Sequence, residues 1–263
     1  MATSELPRID VLGVKVSAIS MSQAIRFIDV VIAESQRTYV CVTGVHGVME
    51  CQRDEDLLRI HNSAGLVTPD GMPLVWLGRT AGMRHMQRVY GPDLMLAMCS
   101  RSLETGYRHF FYGGGPGVAQ LLAERLRQRF PGLQVVGTYT PPFRPLEQRE
   151  EEELIRWVSE TRPDVMWVGL STPKQEKFMG AMVGRLPVPV MVGVGAAFDF
   201  HAGTKPQAPV WMQRSGLEWV FRMATEPRRL ALRYLRNNPA FVVLALAQQL
   251  GLKRFGVEAV SGR

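Results

Sequence analysis

Short β-rich runs alternate with helical patterns along most of the chain, and this constrains the fold more than any other feature. Strands joined by crossovers long enough to hold a helix pair in parallel, and the connecting helices cover the sheet. The first run is Ile9 to Val16, turned at Gly13, followed by a helix capped at Ser22 that runs through Ile25, Ile28 and Ile32. Tyr39 to Thr43 reads as a buried strand and Val48 to His61 as one helix. Gly65 to Thr68 is a short strand closed by the turn Thr68-Pro69-Asp70-Gly71, and Asp93 to Thr105 is helical. His109 to Tyr112 runs into Gly113-Gly114-Gly115-Pro116-Gly117, then a helix from Val118 to Phe130 and a strand from Gln134 to Tyr139. An acidic helix (Glu147 to Glu160), a strand (Asp164 to Leu170), a helix (Lys174 to Arg185) and a strand (Val188 to Val194) follow.

The expected class is therefore α/β, a Rossmann-like, mostly parallel sheet with helices on both faces. After Gly203 the pattern changes. Gly216 to Arg236 is helical and basic, and Pro239 opens an apolar stretch. This divides the chain into an α/β domain at 1–205 and a basic helical C-terminal appendage at 206–263. A net charge of +7 favours anionic partners, whether phosphates, nucleic acid or acidic lipid. The longest apolar run, Ala240 to Ala247, is far below the ~20 residues that span a bilayer. The first residues lack the basic-then-apolar order of a signal peptide. Cys41, Cys51 and Cys99 form no CxxC pair and leave an odd thiol, so they read as small core residues of a cytoplasmic protein.

Several motifs fall where strands end, the edge on which open α/β sheets bind ligands. The glycine-rich turn, with Gly113, Gly114, Gly115 and Gly117, leaves amides free at a helix N-terminus that suits a diphosphate. It is neither a Walker A loop nor a full GxGxxG, and a plain tight turn explains it equally well. Asp70 can accept a proton from an attacking hydroxyl, against an ordinary turn aspartate. Arg88 offers a phosphate fork, Lys174 and Gln175 open a helix after the strand VMWVGL, and Asp199 leaves another strand through small residues. Asp54-Glu55-Asp56 has DxD spelling but sits in a helical pattern and reads as a solvated acidic face. The five histidines show no metal-ligand spacing, and no GxSxG elbow is present. The arginines gather beside an apolar tail, which fits an anionic membrane surface better than nucleic acid, with a basic helix packed on its own domain as the alternative.

In order along the chain, TPDGMPLVW (68–76), RVYGPDLM (88–95), FYGGGPGVA (111–119), VGLSTPKQEKFM (168–179), GVGAAFDFHAGTKPQAP (193–209) and LEWVFRMATEPRRL (217–230) resemble the bacterial WecG/TagA/CpsF glycosyltransferase family. The resemblance covers nearly the whole chain. It implies inverting, metal-independent transfer of a hexose, of N-acetylmannosamine type or glucose, from a UDP-sugar. The acceptor is a polyprenyl-diphosphate-linked sugar in cell-envelope or exopolysaccharide synthesis, and no cofactor is needed. It makes Asp70 the general base, puts Arg88 and Gln175 in the donor pocket, and has Arg222, Arg228, Arg229 and Arg233 close over the site and meet the membrane. It also implies peripheral attachment to the inner face of the cytoplasmic membrane, and homo-oligomers.

One position departs from the family. A Thr-x-Asn motif is usual after the second strand, whereas here the stretch is Val42-Thr43-Gly44-Val45-His46. Thr43 and His46 are the candidates to replace the asparagine, and a different donor sugar is the alternative. The rival readings are a non-catalytic nucleotide- or nucleic-acid-binding module and, more weakly, a dehydrogenase.

Overall fold

A computed structural model describes residues 6–256. Strands β1 (Arg8–Val11) and β2 (Val14–Ser17) form a separate antiparallel hairpin. The main sheet holds β3 (Thr38–Thr43), β4 (Leu66–Pro69), β5 (Arg108–Gly113), β6 (Gln134–Tyr139), β7 (Val165–Gly169) and β8 (Val190–Gly193). Its order is β4-β3-β8-β7-β5-β6, and every pairing is parallel. Between and after the strands come α1 (Met21–Ala33), α2 (Val45–Cys51), α3 (Glu55–Ser63), α4 (Met72–Thr80), α5 (Gly91–Thr105), α6 (Val118–Arg129), α7 (Gln148–Thr161), α8 (Lys174–Met182) and α9 (Ala197–Ala202). The chain continues through α10 (Val210–Arg214), α11 (Glu218–Thr225) and α12 (Pro227–Gln249).

Period-two alternation along the buried strands explains the two layers of helices. Tyr39, Cys41, Phe110, Tyr112, Met166 and Val168 point to one face, where α2, α3, α7, α8 and α12 pack. Val40, Phe111, Val165, Trp167, Val190 and Val192 point to the other, against α1, α5, α6 and α9. All three cysteines are buried free thiols, as expected of core residues. Some polar groups within these layers are paired locally. Trp167 Nε1 donates to His109 Nδ1 at 2.9 Å, and His109 Nε2 lies 2.8 Å from Ser102 Oγ, so this histidine completes a core hydrogen-bond chain.

Three local expectations are corrected. Helix α1 is capped by Ser20, not Ser22, because Ser20 and Gln23 close a reciprocal capping box. The single helix expected over Val48 to His61 is two, because Asp54 breaks it and caps α3 through Leu57 N–H at 3.0 Å. The acidic triplet is thus a helix N-terminus, with Glu55 and Asp56 in the first turn where the helix dipole favours them. Pro239 does not open a new segment but lies inside the 23-residue α12. The carbonyl it leaves without a backbone donor belongs to exposed Leu235, where water can serve it. Among the described residues, no helix is long and apolar enough to cross a membrane.

The glycine-rich turn is held by sheet packing. Gly113 has φ +128°, and a Cβ there would lie 2.6 Å from the Gly169 carbonyl oxygen on neighbouring β7. Gly117 has φ +77° but open space around it. Gly113→Ala is expected to cost about 3 kcal/mol and Gly117→Ala only about 1 kcal/mol in urea unfolding. Equal costs would overturn the packing account.

Candidate active site

The carboxyl ends of β3, β4, β7 and β8 open into one cavity of about 760 Å³. Its floor is made by Gly44 and His46 after β3, Asp70 and Gly71 after β4, Ser171 and Thr172 after β7, and Gly195 and Ala196 after β8. The C-terminal helices form the opposite wall through Glu218, Arg222, Arg229, Arg233, Tyr234 and Asn237.

Asp70 sits where β4 hands over to α4. Its backbone N–H donates to the Thr43 carbonyl at 3.0 Å, and its Oδ1 accepts from Gly91 N–H at 3.1 Å. Oδ2 has no protein partner among the described residues, and it would lie 3.7 Å from a Cβ placed on Gly44. Burial pushes the carboxyl up to about 6; Glu218 adds to that, while Arg88, the Gly91 N–H and Arg222 pull it down. A carboxylate held near neutrality with one free oxygen can take a proton from a substrate hydroxyl.

Arg88 does not point its fork into open solvent. Its Nε donates to the Asp70 backbone carbonyl, Nη2 pairs with Glu218, and the guanidinium lies over the Tyr90 ring at 3.9 Å. The Tyr90 hydroxyl donates to the other Glu218 oxygen at 2.8 Å. Glu218 and Tyr90, neither singled out in the sequence, therefore tie α11 to the loop before α5. An acid in the first turn of amphipathic α11, within an arginine-rich stretch, was the available signal.

His46 opens α2 and lines the cavity. Burial pushes its ring down to about 4, with Arg233, Arg53 and Arg222 adding to the fall and the Thr172 carbonyl opposing it. Gln175 is buried; its Nε2 donates to Glu176 Oε1 at 3.0 Å, and Oε1 has no hydrogen-bond partner among the described residues. Glu176, also buried, accepts from the Thr172 hydroxyl at 2.9 Å as well, so it orients both residues. Arg222 lies 5.8 Å from the Phe200 ring, and neither it nor Arg233 has a carboxylate within salt-bridge distance among the described residues. Arg229 pairs with Glu226 at 2.7 Å.

The cavity thus gathers Asp70, His46, Arg88, Gln175, Arg222, Arg229 and Arg233. The other candidates lie outside it. Thr43 is buried with its hydroxyl on the Cys41 carbonyl, at 3.3 Å. Gly113, Gly114, Gly115 and Gly117 follow β5, beyond β7 from the cavity, and Gly114 packs on Val118 and Phe198. Lys174 and Arg228 are exposed. Asp199 holds Lys205 at 3.1 Å and the Thr204 hydroxyl at 3.2 Å, staples of the turn after α9.

Fold and cavity together define a doubly wound α/β protein with a ligand cleft at its carboxyl edge, a carboxylate on one wall and cations on the other. The model of the glycosyl transferase WecG/TagA/CpsF family matches residues 9–255, and the chain belongs to that family. Two similar proteins carry the name N-acetylglucosaminyldiphosphoundecaprenol N-acetyl-beta-D-mannosaminyltransferase. The one from Bacillus spizizenii is 29% identical over 188 residues, 72% of this chain and 70% of the relative. The one from Bacillus subtilis is 25% identical over 203 residues, 77% of each.

Proposed function

We propose that the protein transfers a hexose from a UDP-sugar to a sugar carried on a polyprenyl diphosphate, with inversion and without a metal ion. The observation that carries this reading is that Asp70, whose Oδ2 has no hydrogen-bond partner among the described residues, shares one cavity with Arg222, Arg229 and Arg233. In one in-line displacement, Asp70 takes the proton from the acceptor hydroxyl as its oxygen bonds to the sugar's anomeric carbon. The bond from that carbon to the diphosphate breaks, and UDP leaves with the electron pair. Arg222, Arg229 and Arg233 can neutralise the departing charge that a metal ion would otherwise balance. The relatives' names favour N-acetylmannosamine as the donor sugar and N-acetylglucosamine as the acceptor; glucose is the competing donor.

The test is a panel of UDP-sugars with a synthetic N-acetylglucosaminyl polyprenyl diphosphate, in EDTA, with the product's anomeric configuration read by NMR. Transfer with retained configuration, or only with added divalent metal, would overturn the mechanism; no transfer from any UDP-sugar would overturn the donor class.

With a lipid-borne acceptor, the same reading has the protein attach peripherally to the inner face of the cytoplasmic membrane. Leu232, Leu235, Val242, Val243, Leu246 and Leu250 are exposed along α12 and its end, at spacings that keep them on one side of the helix. Exposed Arg228 precedes them and exposed Arg236 lies among them. Leu232, Leu235 and Val243 changed together to serine are expected to cut binding to phosphatidylglycerol vesicles at least ~10-fold. Vesicle binding that survives the triple change would remove α12 from the membrane contact.

A further inference from the structure

We infer that Asn237 and Arg53 are positioning residues that hold His46 with its ring proton on Nε2, so that this N–H donates to a substrate oxygen in the cavity. The nature of the ligand rests on the transferase reading; the state of the ring does not.

The assignment follows from donors and acceptors in sequence. A guanidinium has only donors, and Arg53 Nη2 lies 2.8 Å from one end of the Asn237 amide, which must be the oxygen Oδ1. The other end, Nδ2, is then a donor, and it lies 3.1 Å from His46 Nδ1. Nδ1 must therefore offer a lone pair, and a neutral ring with Nδ1 unprotonated carries its hydrogen on Nε2. Asn237 is only 3% exposed, so water has no room to substitute for either contact.

The charged groups facing the ring agree. Glu50 and Arg53 lie on its own side, and Arg222 and Arg233 reach it from α11 and α12. The Glu50 carboxylate is 3.6 Å from Nδ1, farther than the Asn237 amide, and Arg53 already binds that carboxylate at 2.8 Å. Three cations against one engaged carboxylate, together with burial, keep the ring neutral. Its Nε2 is buried; the Thr172 carbonyl faces the ring and favours a proton on it, but among the described residues no acceptor meets Nε2 in good hydrogen-bond geometry, and the residue lines the cavity. A buried donor without an acceptor is unfavourable, and a bound oxygen would satisfy it.

His46 and Asn237 are 191 positions apart, one on α2 and the other on α12. The ring is therefore fixed only while α12 is docked, which couples the C-terminal helices to the floor of the site. Gly44 presents no side chain to the cavity, so His46 supplies the polar contact from this loop.

The experiment is long-range 15N–1H NMR on the full-length, 15N-histidine-labelled protein, read free, with UDP and with UDP-sugar. Free wild type is expected to show His46 with Nδ1 unprotonated and Nε2 protonated at pH 7. Asn237→Asp keeps the shape and the Arg53 contact but turns an oxygen toward Nδ1. It is expected to protonate Nδ1 and raise the ring's titration midpoint by more than about one pH unit. A shift of the Nε2–H signal with UDP assigns its acceptor to the nucleotide, and a shift only with UDP-sugar assigns it to the sugar. In turnover, His46→Ala and Asn237→Asp are expected to raise the donor KM about 10-fold, with His46→Gln, which restores an N–H donor, recovering much of it. A ring protonated on Nδ1 in the free wild type, or one unmoved by Asn237→Asp, overturns the relay. An Nε2–H signal that neither ligand shifts overturns the substrate contact. If wild type turns over no UDP-sugar while the ring behaves as stated, the transferase reading fails and the relay stands.

Discussion

Asp70→Asn is expected to lower kcat/KM by about 10²–10⁴-fold while UDP affinity stays within about twofold. Asparagine keeps an oxygen to accept the Gly91 N–H, so the loop geometry survives and only the proton acceptor is lost. As the proposed base, Asp70 works deprotonated. With its carboxyl pushed up to about 6 by burial, the rate should rise with pH through about 6 and level off above it. Stability should run the other way. A folded-state value raised above the ordinary 3.8 means that the folded protein holds this proton more tightly. The resulting stabilisation is complete below 3.8 and lost as pH climbs through about 6. At pH 7.5 the charged Asp70 therefore weakens the fold, and the uncharged asparagine variant should melt at an equal or higher temperature. A folded Asn variant that turns over normally would eliminate Asp70 as the base. One that melts well below wild type at pH 7.5 would show that the carboxylate is there for structure.

Most of the sheet was legible because its strands, apart from the half-exposed edge strand β6, are largely buried on both faces and each crossover carries a helix with an apolar stripe. Helix α4 was not read, since it starts with a proline in its first turn, buries little beyond Leu74, Val75 and Gly78, and follows a turn that already looked complete. Pro239 misled for the opposite reason: a residue that usually ends a helix sits where solvent can serve the carbonyl left over. Strand ends also told where cavity-lining residues lie, but not which ends meet. That depends on strand order, which puts β3, β4, β8 and β7 side by side and β5 beyond them. Asp70, His46 and Gln175 consequently converge while the glycine turn, the most conspicuous motif in the sequence, falls outside the cavity. Glu218, Tyr90 and Asn237 escaped notice because their meaning lies in partners more than a hundred positions away.

Glu218→Gln is the change expected to reach farthest from its own position. The Arg88–Glu218 pair is mostly shielded, with side chains 16% and 14% exposed, and removing one partner leaves a cation without its anion. Such losses cost about 3 kcal/mol, which here falls on the seam between α11 and the loop before α5. The chemistry should change as well, through the field at Asp70. Glu218 helps hold the Asp70 carboxyl up, whereas Arg88 pulls it down. Without the glutamate charge, the acid limb of the pH–rate profile should move below 6, and the weaker base should lower kcat about 10-fold at neutral pH. A purely structural role would lower the melting temperature and leave the limb in place. Adding Arg88→Met to Glu218→Gln removes the stranded cation, so it should restore part of the lost stability without restoring turnover, because Arg88 also holds the Asp70 carbonyl. If the double variant recovers both, the pair serves only to dock the C-terminal helices; if the limb stays at its wild-type position in the single variant, the charge of Glu218 does not set the base.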